Sequence, residues 1–533
     1  MCRVVMKMGL GRMARALHEM VRTAAERGPS AAAVTDRSGT TTYAELWDAI
    51  LRAAGGLSSY GLDRGDRVAV FLDKRTENVI AMLAASAVGA VFVPVNPVLK
   101  PQQVDHILTN CSARCLVTTS ERLSALLASE AGAGPDIVVL VDDGPVAGEV
   151  SVGTVVARWS ELLSADASEP SYRPVDSDLA AILYTSGSTG LPKGVVLSHR
   201  NLVVGAESVS EYLANTAQDV ILAALPLSFD AGLSQVTTAL HVGAHVVLVN
   251  YLLAGDIVRL CAQHGVTGLT CVPPLWIQLG AATWPPEATR TLRYFANTGG
   301  RMPKSTLARL RTLFPAARPF LMYGLTEAFR STYLDPDEVD QRPDSIGRAI
   351  PNAEVLVVRP DGSRCEPGEP GELVHRGPLV AQGYWNDPVR TAERFRALPS
   401  ERAGVVPDEL AVWSGDTVMR DEDGFLYFVG RRDEMIKTSG YRVSPSEVEE
   451  AAYDTGLVRD AVVFGVDDEV LGQQIVLVAA AVRPDCDPEE VVGALRARLP
   501  LFMVPRRVVL QDDLPRSPNG KFDRTALRAL VTV

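Results

Sequence analysis

A chain of 533 residues is too long for one hydrophobic core, so two or more domains are required. Hydrophobic residues make up 47% and aromatic ones 6%, which excludes a disordered chain and suits a globular α/β protein. A formal net charge of -12 excludes a protein that grips nucleic acid through bulk positive charge.

The first residues, MCRVVMKMGLGRMARALHEMV, carry charges that interrupt every apolar run, so no signal peptide is expected. Within them GLGRMA formally fits a dinucleotide fingerprint. No strand precedes it and no βαβ unit follows, so it reads as the start of an amphipathic helix rather than an NAD site. Residues 79–99, VIAMLAASAVGAVFVPVNPVL, are uncharged and long enough to span a bilayer. Pro94, Asn96 and Pro97 argue against that. A buried helix ending at Gly89, followed by a buried strand AVFVPV, fits better and predicts no membrane insertion.

Short β-rich runs then recur, among them RVAVFL, CLVTT, IVVLVDD, AAILYTS, VILAALPLS, AHVVLVN, GLTCVPP and RPFLMYG. Stretches of helical length lie between several of them, which predicts helix-covered parallel or mixed sheets. From about Ser345 the strands are broken by Asp-Gly and Pro-Gly turns, the pattern of a small antiparallel, β-barrel-like subdomain. A hairpin around Asp423-Gly424 follows. Beyond Asp433 a helix, two strands, a second helix and a polar tail make a compact α+β unit, its first helix capped by Ser444 or Ser446. The expected division is an N-terminal domain over 1–432 and a C-terminal domain over 433–533. The seven cysteines, Cys2, Cys111, Cys115, Cys261, Cys271, Cys365 and Cys486, are scattered, and only Cys111 and Cys115 lie close together. With no second pair to complete a zinc site, they read as inert thiols of a reducing, cytoplasmic compartment.

Residues 185–194, TSGSTGLPKG, follow the apolar run LAAILY. A loop of this kind after a buried strand exposes backbone N–H groups and hydroxyls, which are donors for phosphate oxygens, and Lys193 adds positive charge. It is not a Walker A loop, because no Ser or Thr follows Gly-Lys at the required spacing.

The stretch YTSGSTGLPKGVVLSHRN resembles the phosphate loop of the adenylate-forming enzymes: acyl-CoA synthetases, adenylation domains of nonribosomal peptide synthetases, and luciferase. Further segments resemble that superfamily in the same order: YGLTEA at 323–328, GELVHRGPLVAQGYWNDP at 371–388, WSGDTVMRDEDGFLYFVGRRDEMIKTSGYRVSPSEVE at 413–449 and PRSPNGKFDR at 515–524. The resemblance implies a large N-terminal domain, a small mobile C-terminal domain and two half-reactions. In the first, a carboxylate joins the α-phosphate of ATP and pyrophosphate leaves. Thr185, Ser186, Gly187, Ser188, Thr189 and Gly190 would hold the β- and γ-phosphates, and Lys193 would neutralise them. Tyr323 and Gly324 would line the adenine, Thr326 would bind the α-phosphate and Glu327 would hold Mg²⁺. Asp416 would accept the ribose hydroxyls, with Arg431 nearby, and Lys521 would bridge substrate carboxylate and α-phosphate. In the second half-reaction the small domain would turn about Asp433, and Lys437, Gly440 and Arg442 would line the entry of a thiol.

The acid is addressed by LPLSFDAGLSQ at 225–235. Phe229-Asp230 looks like the Phe-Asp of amino-acid adenylation domains, where the Asp would pair with an α-ammonium, although Gly232 departs from their pattern. Stand-alone proline-type carrier-protein ligases and exosortase-associated acyl-CoA ligases both look similar and differ in substrate. An amino acid is the favoured expectation; a non-amino acid passed to coenzyme A is the alternative. Twelve residues follow Lys521, too few for a carrier domain, so the thiol is expected on a separate carrier protein or on coenzyme A. Luciferase-type oxygenation shares the motifs. A nucleotide sensor without chemistry would not need both Lys521 and Glu327.

Overall fold

The computed structural model describes residues 14–129, 134–168, 172–185, 192–300, 302, 304–398, 409–431, 435–515 and 522–531. Among these the strands form three sheets. In one, Arg67–Val70, Val91–Pro94, Cys115–Thr118 and Ile137–Leu140 run parallel. Leu179–Thr185 joins them in parallel and doubles back antiparallel as Lys193–Ser198. The largest sheet has a parallel core in the spatial order Ala32–Asp36, His245–Leu248, Val220–Ala223, Gly268–Cys271, Tyr294–Asn297 and Arg318–Tyr323. The core strands are short and buried, as a sheet covered on both faces requires. The antiparallel strands expected after Ser345 are present but do not stand apart. Ser345–Ala349 pairs with Thr332–Leu334, so they continue the same sheet beyond Arg318–Tyr323.

The uncharged stretch at 79–99 becomes the helix Thr76–Val88 and the strand Val91–Pro94. Residues 78–88 are all buried, and Gly89 ends the helix with φ 81°. Thirteen helical residues reach about 20 Å, well short of a bilayer core. No helix among the described residues is long and apolar enough to cross a membrane.

From Ile436 onward the chain builds its own sheet, with Ile436–Thr438, Tyr441–Val443, Val458–Asp468, Gly472–Ala481 and Arg507–Gln511. The helices Pro445–Asp454 and Pro488–Arg498 cover it over a separate apolar core. The Ser444 hydroxyl caps the first helix by accepting from the Glu447 N–H at 3.4 Å. Residues 432–434, where the sequence places the domain boundary, lie outside the described residues, as do residues 1–13 with GLGRMA and Cys2. The other six cysteines are buried free thiols; burial pushes those of Cys115 and Cys261 up to about 12.

Four histidines lie inside the large lobe. His18 Nδ1 meets the Ser86 hydroxyl at 2.8 Å, and His199 Nδ1 accepts from the Leu17 N–H at 3.4 Å. Burial, reinforced by their mutual repulsion at His18, lowers His18 to about 3 and His199 to about 4; burial also lowers His245 and His375 to about 4. Unfolded, these imidazoles take up protons from pH 6.5 downward, whereas the folded chain holds them off. Their contribution to stability is complete above pH 6.5 and is lost as pH falls toward 4. Melting temperature should therefore decline over that window, and His375→Gln should make the decline shallower. A decline of unchanged slope in that variant would assign the acid sensitivity to carboxylates instead.

Candidate active site

The carboxyl ends of the parallel strands open together into one cavity of about 1400 Å³. Val220–Ala223 leads through residues 224–229 to Asp230, Tyr294–Asn297 leads to Thr298 and Gly299, and Arg318–Tyr323 leads to the turn holding Thr326 and Glu327. Ligands collect at such strand ends because loops of free backbone polar groups converge there. The small lobe supplies the facing wall with Lys437, Gly440, Tyr441 and Arg442.

Glu327 is the electrostatic centre. It lies in the short 3₁₀ turn Thr326–Ala328 and is 4% exposed. Its Oε1 accepts from Lys193 Nζ at 3.1 Å and from the Tyr384 hydroxyl at 2.6 Å. Lys193 Nζ also donates to the Tyr384 oxygen at 2.7 Å and sits 4.1 Å from that ring's centre. Burial would raise the Glu327 carboxyl, but the charges of Lys193, Arg394 and Arg442 outweigh it and hold the group far below the ordinary carboxylate range. At Lys193 the balance reverses. Burial lowers the ammonium, and one carboxylate does not offset burial and two neighbouring guanidinium groups. Lys193, Arg394 and Arg442 thus bring three cations to one corner of the cavity.

Thr185 and Lys193 pair across the antiparallel strands Leu179–Thr185 and Lys193–Ser198. Tyr323 ends its strand buried, and its hydroxyl donates to Asp416 Oδ2 at 2.5 Å. Asp416 is 1% exposed and pairs in register with Arg431. Arg442 reaches this corner from the small lobe. Burial would lower it, but Asp416, Glu327 and Asp230 keep the guanidinium charged. Gly324 lets the chain fold back on itself, because a Cβ there would stand 3.2 Å from the Arg330 Cα.

The tip of the hairpin Ile436–Thr438/Tyr441–Val443 is Ser439-Gly440, with φ of 52° and 81°, as a tight two-residue hairpin turn demands. It rests directly on the large lobe. A Cβ on Gly440 would fall 2.7–2.8 Å from three side-chain atoms of Val272. Tyr441 stacks on Phe502 at 3.6 Å and meets Phe229 edge-on at 5.2 Å. Lys437 Nζ lies 4.7 Å over the Phe428 ring.

Asp230 is the first residue of the helix Asp230–Val242 and lines the cavity. Gly232 seats that helix, since a Cβ there would lie 1.9 Å from the Pro226 carbonyl oxygen. Lys74 steadies the preceding loop by donating to the carbonyls of Ala223, Ala224 and Leu225 at 3.0, 2.6 and 3.2 Å. Burial draws its ammonium down to about 7. Asp230 already has a cation beside it: Arg330 Nη1 stands 3.5 Å from its Oδ2.

The structure thus brings together Thr185, Lys193, Asp230, Tyr323, Gly324, Thr326, Glu327, Asp416, Lys437, Gly440 and Arg442 around one cavity or its rim. Ser186, Gly187, Ser188, Thr189, Gly190, Asp433, Lys521 and the Arg431 side chain lie outside the described residues. Tyr384, Arg394, Arg330 and Lys74 were not anticipated. Tyr384 was within reach, since it sits inside the GYWNDP segment already singled out. Among the described residues no group of three or more His, Cys, Asp or Glu could hold a metal. Glu327 alone suits a cation that arrives on phosphates, the way Mg²⁺ commonly binds.

The AMP-binding enzyme family profile matches residues 21–385, and that of the AMP-binding enzyme C-terminal domain matches 447–521. The L-proline--[L-prolyl-carrier protein] ligase of Pseudomonas fluorescens is 31% identical over 97% of this chain and 99% of its own length. The 3-hydroxybenzoate--CoA ligase of an Aromatoleum species is 30% identical over 94% and 93%. The chain spans only 6% of a linear gramicidin synthase polypeptide from Brevibacillus parabrevis and 14% of a surfactin synthase polypeptide from Bacillus subtilis. Among solved structures, the o-succinylbenzoate CoA synthetase of Bacillus subtilis is 26% identical in two complexes. With its product analogue OSB-NCoA the TM-score is 0.81, covering 96% of this chain and 98% of that one. With the acyl-adenylate intermediate OSB-AMP it is 0.67, covering 96% and 97%. The fold and both profiles agree, and the chain belongs to the AMP-binding enzyme family of adenylate-forming ligases.

Proposed function

We propose that the chain activates an amino acid as aminoacyl-AMP and passes it to the pantetheine thiol of a separate carrier protein. The observation that carries this reading is the cavity itself. Lys193, Arg394 and Arg442 gather around Glu327 at one side, and a carboxylate, Asp230, lies at the acid's side. A triphosphate fits the first and an ammonium fits the second. The full-length likeness to a proline carrier-protein ligase supports the amino-acid reading, and the likeness to a CoA ligase keeps the alternative, a non-amino acid and coenzyme A.

In the first step a carboxylate oxygen of the acid attacks the α-phosphorus of ATP, and the bond to the bridging oxygen breaks to release pyrophosphate. Thr185, Ser186, Gly187, Ser188, Thr189 and Gly190 receive the β- and γ-phosphates, Lys193 offsets their charge, and Thr326 donates to the α-phosphate. Tyr323 and Gly324 flank the base, and Asp416 receives the ribose, with Arg431 beside it. Mg²⁺ on the phosphates would be held by Glu327 and would screen the repulsion between the two anions. Lys521 bridges the attacking carboxylate and the α-phosphate. In the second step the thiol sulfur attacks the acyl carbon, loses its proton and displaces AMP.

The described placement of the small lobe fits the second step. Its hairpin is already seated at the mouth of the cavity, and the likeness is greater to the relative's product-analogue complex than to its acyl-adenylate complex. The first step would then need the lobe to turn about Asp433, bringing Lys521 in.

Pyrophosphate release across the common amino acids, fatty acids and aromatic acids tests the reading, with Asp230→Ala in parallel. Amino acids should be favoured and should lose activation in the variant. Equal turnover of acids without an amine, unaffected by Asp230→Ala, would establish the alternative. Lys521→Ala should cut pyrophosphate release by roughly a hundredfold or more while sparing thioester formation from supplied aminoacyl-AMP. Gly440→Ala should do the reverse, because its methyl group would strike Val272 only when the hairpin is docked. Glu327→Gln should slow pyrophosphate release roughly a hundredfold and raise the Mg²⁺ concentration required.

A further inference from the structure

We propose that the acid is an amino dicarboxylic acid, and that Arg330 holds the carboxylate that does not react. This rests on the amino-acid reading of Asp230 and narrows it. Arg330 follows the Thr326–Ala328 turn, lines the same cavity and is 3% exposed. Its contacts are long: Nη1 to Asp230 Oδ2 at 3.5 Å and Nη1 to Thr298 Oγ1 at 3.4 Å. Among the described residues its buried Nε has no acceptor. Ser228 Oγ and Asn297 Oδ1, which line the cavity too, are likewise buried without partners among the described residues. A buried guanidinium with unfilled donors is costly, and a ligand that fills them recovers that cost.

The charge count identifies the ligand. Without substrate, Asp230 and Arg330 balance each other at the acid's end of the cavity. An ammonium arriving beside Asp230 takes the carboxylate over and strands Arg330. The reacting carboxylate cannot make good the loss, because its charge disappears when the mixed anhydride with AMP forms. A second carboxylate keeps its charge through both steps. A dicarboxylic acid without an amine fails the opposite way, setting an extra anion against Asp230. An acid bearing both an ammonium and a spare carboxylate leaves Asp230 and Arg330 each with a partner of opposite charge, and a planar guanidinium receives a carboxylate on two donors at once.

The test measures pyrophosphate release by the full chain with four sets of acids. These are aspartate and glutamate; their isosteric amides asparagine and glutamine; alanine and 2-aminobutyrate; and succinate and glutarate. Aspartate or glutamate should exceed its own amide in kcat/KM by roughly a hundredfold or more, the scale of a broken buried ion pair. Arg330→Met should remove that advantage and improve turnover of the neutral amino acids, whose ammonium then has Asp230 to itself. Asp230→Asn should shift preference toward succinate or glutarate. Unchanged ATP affinity of each variant, read by calorimetry, shows that the fold and the phosphate site are intact. The proposal is overturned if neutral amino acids match the dicarboxylic ones, if Arg330→Met leaves the ratio unchanged, or if no amino dicarboxylic acid is turned over. In the first case, with turnover still dependent on Asp230, the amino-acid reading survives and only the second carboxylate falls. Preference for succinate in the unaltered chain, indifferent to Asp230→Ala, would remove the amino-acid reading itself.

Discussion

A single buried carboxylate organises this molecule. Glu327 lies almost without solvent and stays ionised because Lys193, Arg394 and Arg442 surround it. Those groups come from distant parts of the chain. Lys193 opens the strand after the phosphate loop, Arg394 ends a helix of the antiparallel region, and Arg442 belongs to the hairpin of the small lobe. Tyr384 adds a hydroxyl from a two-residue strand paired with Lys193–Ser198. One ion cluster therefore fastens the hydroxyl-rich loop, the YGLTEA turn and the second lobe to a common point. On the proposed function, a polyphosphate arriving beside these cations would meet the same groups that join the two lobes.

The backbone beside Glu327 is bent to suit. Phe329 has φ 55° and ψ -49°, and the Arg330 N–H donates to the Ala328 carbonyl at 2.5 Å. This is the rare, strained form of the three-residue turn, which costs on the order of 1–3 kcal/mol. Complete burial of the Phe329 ring contributes about as much in the opposite sense. The turn places Glu327 and Arg330, three residues apart, in the wall of one cavity, at what the proposed function makes its phosphate and acid ends. A regular helix after Tyr323 would stack residues so spaced on one face, where their charges would neutralise each other.

Much of this was legible from residue order, and the reason is local. Every β-rich run named from the sequence forms a strand, because buried parallel strands must be apolar throughout and carry that signature within a few residues. The glycine that ends Thr76–Val88 and the serine that caps Pro445–Asp454 are local signals of the same kind. Tyr294–Asn297 was missed: YFAN is short, lacks the β-branched residues of its neighbours and gains its place by pairing on both sides. The antiparallel region read as a separate unit because its turns are local, whereas the pairing of Ser345–Ala349 with Thr332–Leu334 that joins it to the main sheet is not. Arg330 and Arg394 were invisible for a related reason. Nothing in the sequence around a buried arginine says which distant carboxylate it will face.

On the proposed function, the hairpin at Ser439-Gly440 would link the two chemical steps through the same cluster. Gly440 touches Val272 at the end of one parallel strand, and Arg442, two residues on, reaches Glu327, Asp416 and Asp230 electrostatically. On the proposed function, a thiol guided in past Gly440 would arrive only while Arg442 supplies positive charge to the corner AMP would leave. If the small lobe turned away, that charge would go with it, and a second cation would have to take its place for an anionic acid to approach ATP. In the proposed reaction that cation is Lys521, which follows Arg442 in the C-terminal part of the chain. On that proposal the two lobe positions would differ chiefly in which cation completes the site, an arginine for transfer to the thiol or a lysine for attack on phosphorus.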